Sequence, residues 1–220
     1  MKAFLENKIV QNLLRRKNLC FWDIGAHGGV GLPWKGLVKK SSFVKIMALE
    51  PRRESFSQLP RGRNKFNYCL AASSKKRKTV FWLSSSGSSI LKERGQDPGN
   101  GCKVFVRTET LRGLRSPQKT LDILKIDTEG SEHDVLVGAG KYLRKETLAV
   151  QLEYEFRPRS PKQAPFHQVD ELLKSHGFDL YGITLQSGTL DEIKGGDALF
   201  IRNPRWILAD KKNHLEKKQP

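Results

Sequence analysis

The sequence predicts an α/β fold built on an open, mostly parallel sheet, and three segments carry that prediction. The first is Leu121–Leu136, in which Leu121, Ile123, Leu124 and Ile126 form a short branched apolar run that ends in Asp127, Glu129 and Glu132 around Gly130. Such runs mark strands buried on both faces, and ligands in open α/β sheets bind beyond the carboxyl ends of the strands. The second is Cys20–Gly31, an apolar strand that runs into Gly25, Gly28 and Gly29. Glycines there permit positive φ and close approach of a ligand to the main chain. The third is Phe43–Glu50, a strand that ends in an acid 27 residues after Asp23. Nucleotide-binding α/β folds place the acid that holds the ribose hydroxyls at an interval of about 20 residues.

The remaining elements follow in chain order. Ala3–Lys17 has Phe4, Leu5, Ile9, Leu13 and Leu14 at helical spacing and reads as an amphipathic N-terminal helix on the rim of the sheet, within residues 1–18. Strands are expected near 19–24, 43–49 and 66–71 as parts of successive βα units. The pattern then changes over 74–118. Thr79–Leu83 and Lys103–Arg107 are β-rich and flank a Ser/Gly-rich stretch from Ser84 to Gly101, which reads as an inserted pair of strands with a long loop. Lys75–Lys78 is expected to be a turn between strands. Regularity returns with a strand at 121–126, a helix at 131–142, a strand at 147–154 and a helix at 166–177. Phe178–Ile183 and Asp197–Ile201 suggest a terminal hairpin. One domain over 1–202 is expected, with a polar, basic and loosely ordered tail over 203–220.

Charge is the unusual bulk property. Forty Lys and Arg against 23 Asp and Glu give a net +17, with nine basic residues between Lys35 and Lys65 and a cluster at Lys75–Lys78. A field of that sign attracts polyanions and speeds encounter with anionic substrates, or simply keeps the chain soluble. No stretch approaches 18 consecutive apolar residues, and the N-terminus lacks a signal-peptide core. Cys20, Cys69 and Cys102 are odd in number and dispersed, which points to a reduced, cytoplasmic setting without a thiolate zinc site. The oligomeric state is left open.

Asp-Ile-Gly-Ala-His-Gly-Gly (23–29), Leu-Glu-Pro (49–51), Leu-Ala-Ala-Ser (70–73) and Leu-Lys-Ile-Asp-Thr-Glu-Gly-Ser-Glu (124–132) together resemble the FkbM-type family of S-adenosylmethionine-dependent methyltransferases. Val135–Ala139 and Val150–Glu153 fit as well, so the resemblance covers roughly residues 18–202. It implies a Rossmann-like class I methyltransferase fold with a seven-stranded sheet, a C-terminal antiparallel hairpin and an extra β insertion before the fourth strand. It also implies S-adenosylmethionine as cofactor. Asp23, Gly25, Ala26, His27, Gly28 and Gly29 would form the turn under its amino-acid part, Glu50 would accept both ribose hydroxyls, and Leu70 and Ala71 would border the adenine. The competing reading of Glu50 is a surface acid paired with Arg52 or Arg53.

Methyl transfer to a hydroxyl requires an aligned oxygen and a proton acceptor. Asp127 is the candidate base or orienting group, and a carboxylate at the start of the following helix is its structural alternative. Glu129 is open to either role, and Glu132 falls in the helix's first turn. Glu153 is expected beside Asp127 across adjacent strands. Converging carboxylates there could bind a divalent cation or raise one another's pKa, but no further Asp or His sits at suggestive spacing and no metal ligand is assigned. His27 and His167 are alternative bases. The expected acceptor is a hydroxyl on a small molecule or glycan, with anionic acceptors favoured by the charge. Nucleic acid is the alternative partner, either methylated or bound without turnover.

Overall fold

The computed structural model describes residues 19–30, 34–35, 44–83, 87–92, 103–114, 120–145, 147–186 and 194–203. The expected N-terminal helix and most of the C-terminal tail lie outside the described residues.

A seven-stranded sheet organises the chain, from β1 (Cys20–Ile24), β2 (Lys45–Leu49), β3 (Lys65–Tyr68), β7 (Ile123–Ile126), β8 (Ala149–Glu155), β9 (Phe178–Gln186) and β10 (Gly195–Arg202). Their spatial order is β3-β2-β1-β7-β8-β10-β9. The first five are parallel, and β10 runs antiparallel to both β8 and β9. Alternation along β1 explains the two-sided core. Cys20, Trp22 and Ile24 pack on one face with Leu124, Ile126, Val150 and Leu152. Leu19 and Phe21 pack on the other with Ile46, Ile123 and Ala149. Because both faces are covered, the central strands read as continuous apolar runs.

The described α-helices include α1 (Arg53–Ser57), α2 (Glu132–Ala139), α3 (Lys141–Lys145) and α4 (Phe166–Ser175). The helix expected over 131–142 is therefore two. Gly140 takes φ 53°, a left-handed conformation that ends α2 before the apolar residues Tyr142 and Leu143 continue into the core.

The strand expected over 66–71 is also divided. β3 stops at Tyr68, whose carbonyl accepts from the Glu50 amide at 3.1 Å. The chain then leaves the main sheet, and β4 (Ala71–Ala72) joins β5 (Arg77–Trp82) and β6 (Lys103–Glu109) in a separate three-stranded sheet of order β4-β6-β5. β4 is parallel to β6, and β5 is antiparallel to it. Lys75 and Lys76 lie in the turn as expected, but Arg77 and Lys78 already belong to β5. The inserted sheet has its own small core of Ala71, Phe81 and Val106.

A carboxylate-lined cleft at the strand ends

Three strand ends and the inserted sheet enclose a cleft of about 340 Å³. It is lined by Gly25 and His27 after β1, Glu50 after β2, Leu70 and Ala71 at β4, and Asp127, Thr128 and Glu129 after β7. Phe81, Gly87 and Ile90 close it from the insertion. Asp23, Ala26, Gly28 and Gly29 lie outside this lining. Ala26 is buried against Ala48 and Leu59.

Gly25 is required by close packing. It takes φ 79°, and a Cβ there would collide with the carbonyl oxygen of Asp127, so the β1 and β7 loops can meet only through glycine. The same loop is fixed to β2, because the Gly25 and Ala26 amides both donate to the Leu49 carbonyl, at 3.0 and 3.1 Å.

Glu50 is 4% exposed. Its Oε2 accepts from the His27 amide at 2.9 Å and its Oε1 from the Arg52 amide at 2.8 Å. It is thus held by main-chain donors rather than by a surface arginine. A carboxylate has about four lone-pair sites, so further acceptor capacity remains in each oxygen. His27 has positive φ and its Nδ1 lies 3.2 Å from Ser55 Oγ. His167 is exposed on α4, away from the cleft.

Beside the cleft, strand register assembles a charged seam. Asp23 pairs with Lys125 across β1 and β7, and the two-residue period of the strand brings Asp127 to the same face. Lys125 Nζ lies 3.2 Å from Asp23 Oδ1 and 3.2 Å from Asp127 Oδ2. Burial opposes the lysine's charge, but Asp23 and Asp127 outweigh it and hold the ammonium pKa above its ordinary value. Lys125 is a site-forming residue that composition did not single out. Its signal was a lysine inside an otherwise buried apolar strand.

Ile126 is paired with Leu152, so Glu153 falls beside Asp127, and carboxylate oxygens of Asp127, Glu129 and Glu153 lie within 4.8 Å of one another. Arg159 Nη2 binds Glu129 Oε2 at 2.7 Å, and its Nε pairs with Glu155. Arg159 and Lys125 therefore supply countercharge to a carboxylate group whose spacing also suits a divalent cation. Burial, together with the charges of Glu129 and Asp127, pushes Glu153 up to about 8. Burial also raises Glu129, against the pull of Arg159. Glu129 and His27 are non-glycine residues with positive φ, at 55° and 30°, and both border the cleft. Strained backbone of this kind concentrates at functional sites.

Glu132 turns back rather than out. Its Oε1 accepts from the Thr128 and Gly130 amides and from the Thr128 hydroxyl at 3.0–3.1 Å, which clamps the loop that carries Asp127 and Glu129. Burial pushes it up to about 6 despite those donors.

Five parallel strands followed by an antiparallel pair, with acids and glycines at their carboxyl ends, define the class I methyltransferase fold. The methyltransferase FkbM domain matches residues 23–180, and the chain belongs to this family of S-adenosylmethionine-dependent methyltransferases. The structure is similar to that of the FkbM methyltransferase from Methylobacillus flagellatus KT, with TM-score 0.54 and 14% identity over 88% of this chain. At 14% identity this likeness is one of fold, and the chain covers 46% of that protein's length. Magnesium protoporphyrin IX methyltransferase from Synechocystis PCC 6803, with bound SAM, gives TM-score 0.49 and 8% identity over 92% of this chain and 77% of its own. No curated protein sequence matches the chain. Among the described residues, no helix is long and apolar enough to cross a membrane.

Proposed function

We propose that the chain binds S-adenosylmethionine in this cleft and catalyses methyl transfer to a hydroxyl of a small molecule or glycan. The observation that carries the reading is Glu50, a buried carboxylate anchored by two main-chain amides yet open to the same cleft as the glycine turn and Asp127. A preorganised acceptor suits vicinal ribose hydroxyls, because its orientation is already fixed before binding. Leu70 and Ala71 supply an apolar wall for the adenine, and Gly25 and His27 lie under the methionine portion. Asp23 acts from beneath the cleft through Lys125 rather than by lining it.

The cofactor's sulfonium supplies an electrophilic methyl carbon. The protein's task is then to align the acceptor oxygen and take its proton. Asp127 is suited to this because its side chain is 42% exposed at the cleft while Lys125 fixes one of its oxygens. Glu129 is tied by Arg159 and shapes the acceptor side. Glu153, raised to about 8, is mostly protonated at neutral pH, which relieves its repulsion with Asp127 and Glu129.

Asp127→Asn is expected to reduce kcat by roughly 10²–10⁴, the range of general-base contributions, while affinity for S-adenosylmethionine changes less than about threefold. Calorimetric titration paired with S-adenosylhomocysteine release over a panel of hydroxylated acceptors tests both parts. Loss of cofactor affinity equal to the loss of turnover would remove Asp127 from the proton-transfer role.

The raised Glu153 gives a second expectation, on stability. Its folded value lies above the ordinary value of 4.5, so the folded state binds more protons and stability falls as pH rises from about 4.5 towards 8. Glu153→Gln should flatten that fall and raise Tm most at alkaline pH. Parallel pH–Tm profiles of the two proteins would contradict the assignment.

A further inference from the structure

We propose that the outer face of the β5–β6 ribbon is a docking surface for single-stranded nucleic acid. The inference goes beyond the methyl-transfer reading, because binding at this face requires neither cofactor nor turnover. Antiparallel register pairs Lys78 with Arg107, Val80 with Phe105 and Trp82 with Lys103. Alternation sends these six side chains to one face, while Phe81 and Val106 point inward to the small core with Ala71. The result is a surface on which two aromatic rings are interleaved with three cationic side chains. Phe105 is 69% exposed, so its ring face is open to a stacking partner.

The rings already hold cations. Lys78 Nζ lies 5.1 Å from the Phe105 ring centre, and Lys92 and Lys103 Nζ lie 5.4 and 6.0 Å from that of Trp82. These are cation–π distances. A nucleobase stacking on Phe105 would take the place of Lys78 over the ring and release its ammonium to a phosphate. Base-stacking rings set among phosphate-binding cations are the two components by which proteins hold single strands without reading sequence. The single acid at the end of this face, Glu109, is engaged by Lys76 at 3.1 Å, so no free carboxylate among these residues repels a phosphate chain. The net charge of +17 adds long-range attraction of the same sign. A lipid surface fits less well, because Val80, Phe105 and Trp82 form one small apolar group bounded by Lys78, Arg107 and Lys103 rather than a long apolar stripe.

The position connects this surface to the cleft. The inward side of the same ribbon contributes Phe81 to the cleft lining, and the loop beyond β5 contributes Gly87, Ser88 and Ile90. A strand held on the outer face therefore lies one sheet thickness from the cleft.

Fluorescence anisotropy with fluorescein-labelled oligothymidylate of about 15 nucleotides tests the proposal, with duplex DNA, inorganic polyphosphate and phosphatidylserine vesicles as competitors. The oligonucleotide should bind in preference to all three. Phe105→Ala and Phe105→Leu should each weaken it by roughly tenfold, because leucine keeps apolar area but not a stacking plane. Lys78→Gln should lower the dependence of log K on log salt by about 0.7. Arg61→Gln, an equal loss of charge away from the ribbon, should leave the effect of Phe105→Leu intact. The proposal is overturned if polyphosphate or vesicles compete as well as the oligonucleotide does. It is equally overturned if both Phe105 variants, shown folded by circular dichroism, bind like the parent.

Discussion

Replacing Lys125 with methionine is expected to destabilise the fold by about 3–5 kcal/mol, the range for breaking a buried ion pair from one side. Asp23 has no exposed surface, and its Oδ2 has no hydrogen-bond partner. The contact of its Oδ1 with Lys125 is the ion pair that compensates its charge among the described residues. Methionine keeps the aliphatic volume and removes the ammonium, so Asp23 must either remain charged without compensation or bind a proton. Its folded pKa would then lie well above the unfolded value of about 3.9. The sign follows directly: the loss is smallest below that value and grows as pH rises above it. Urea unfolding at acid and neutral pH measures this, and Asp23→Asn combined with Lys125→Met should recover most of the stability. A loss under about 1 kcal/mol at neutral pH would mean that Asp23 is stabilised by something other than Lys125.

Glu50→Ala should weaken S-adenosylmethionine binding by at least about 100-fold. Hydrogen bonds to a charged group contribute about 1.5–3 kcal/mol each, and two ribose hydroxyls are assigned to this carboxylate. The substitution also strips the His27 and Arg52 amides of their acceptor, so the glycine turn loses an anchor as well. Glu50→Gln separates these effects, since an amide oxygen can still accept from one main-chain donor but carries no charge. Calorimetry should place it between the parent and alanine proteins. Unchanged affinity in Glu50→Ala would sink the cofactor assignment for this cleft, whereas the ribbon proposal would stand, because oligonucleotide binding does not pass through Glu50.

Much of the fold was legible because its signals are local. A parallel strand covered on both faces is apolar along most of its length, so β1, β2 and β7 declare themselves, and the acids and glycines directly after them mark the carboxyl edge. Two divisions escaped. Leu70 and Ala71 follow Phe66 and Tyr68 closely enough to read as one strand, but the pairing of Ala71 with Thr108 and Ala72 with Glu109 takes β4 into the second sheet. Tyr142 and Leu143 continue the helical apolar pattern past Gly140, although the left-handed conformation of that glycine ends the helix.

The site divides in the same way. Its members at the strand ends could be named from spacing, because each lies within a few residues of the strand that presents it. Their protonation and partners could not be read this way. Lys125 meets Asp23 across 102 positions of sequence, and Arg159 reaches Glu129 across 30, so both contacts depend on how the strands are paired. The outer face of the ribbon is similar, since Lys78 and Phe105 become neighbours only in the β5–β6 register. By itself the sequence determined the sheet class and the residues gathered at its carboxyl edge, because apolar periodicity and turn chemistry act over short range. The tertiary structure alone decided which charges are paired and which are raised toward neutrality, and which rings face solvent, because charge pairing, desolvation and exposure depend on neighbours that chain distance does not reveal.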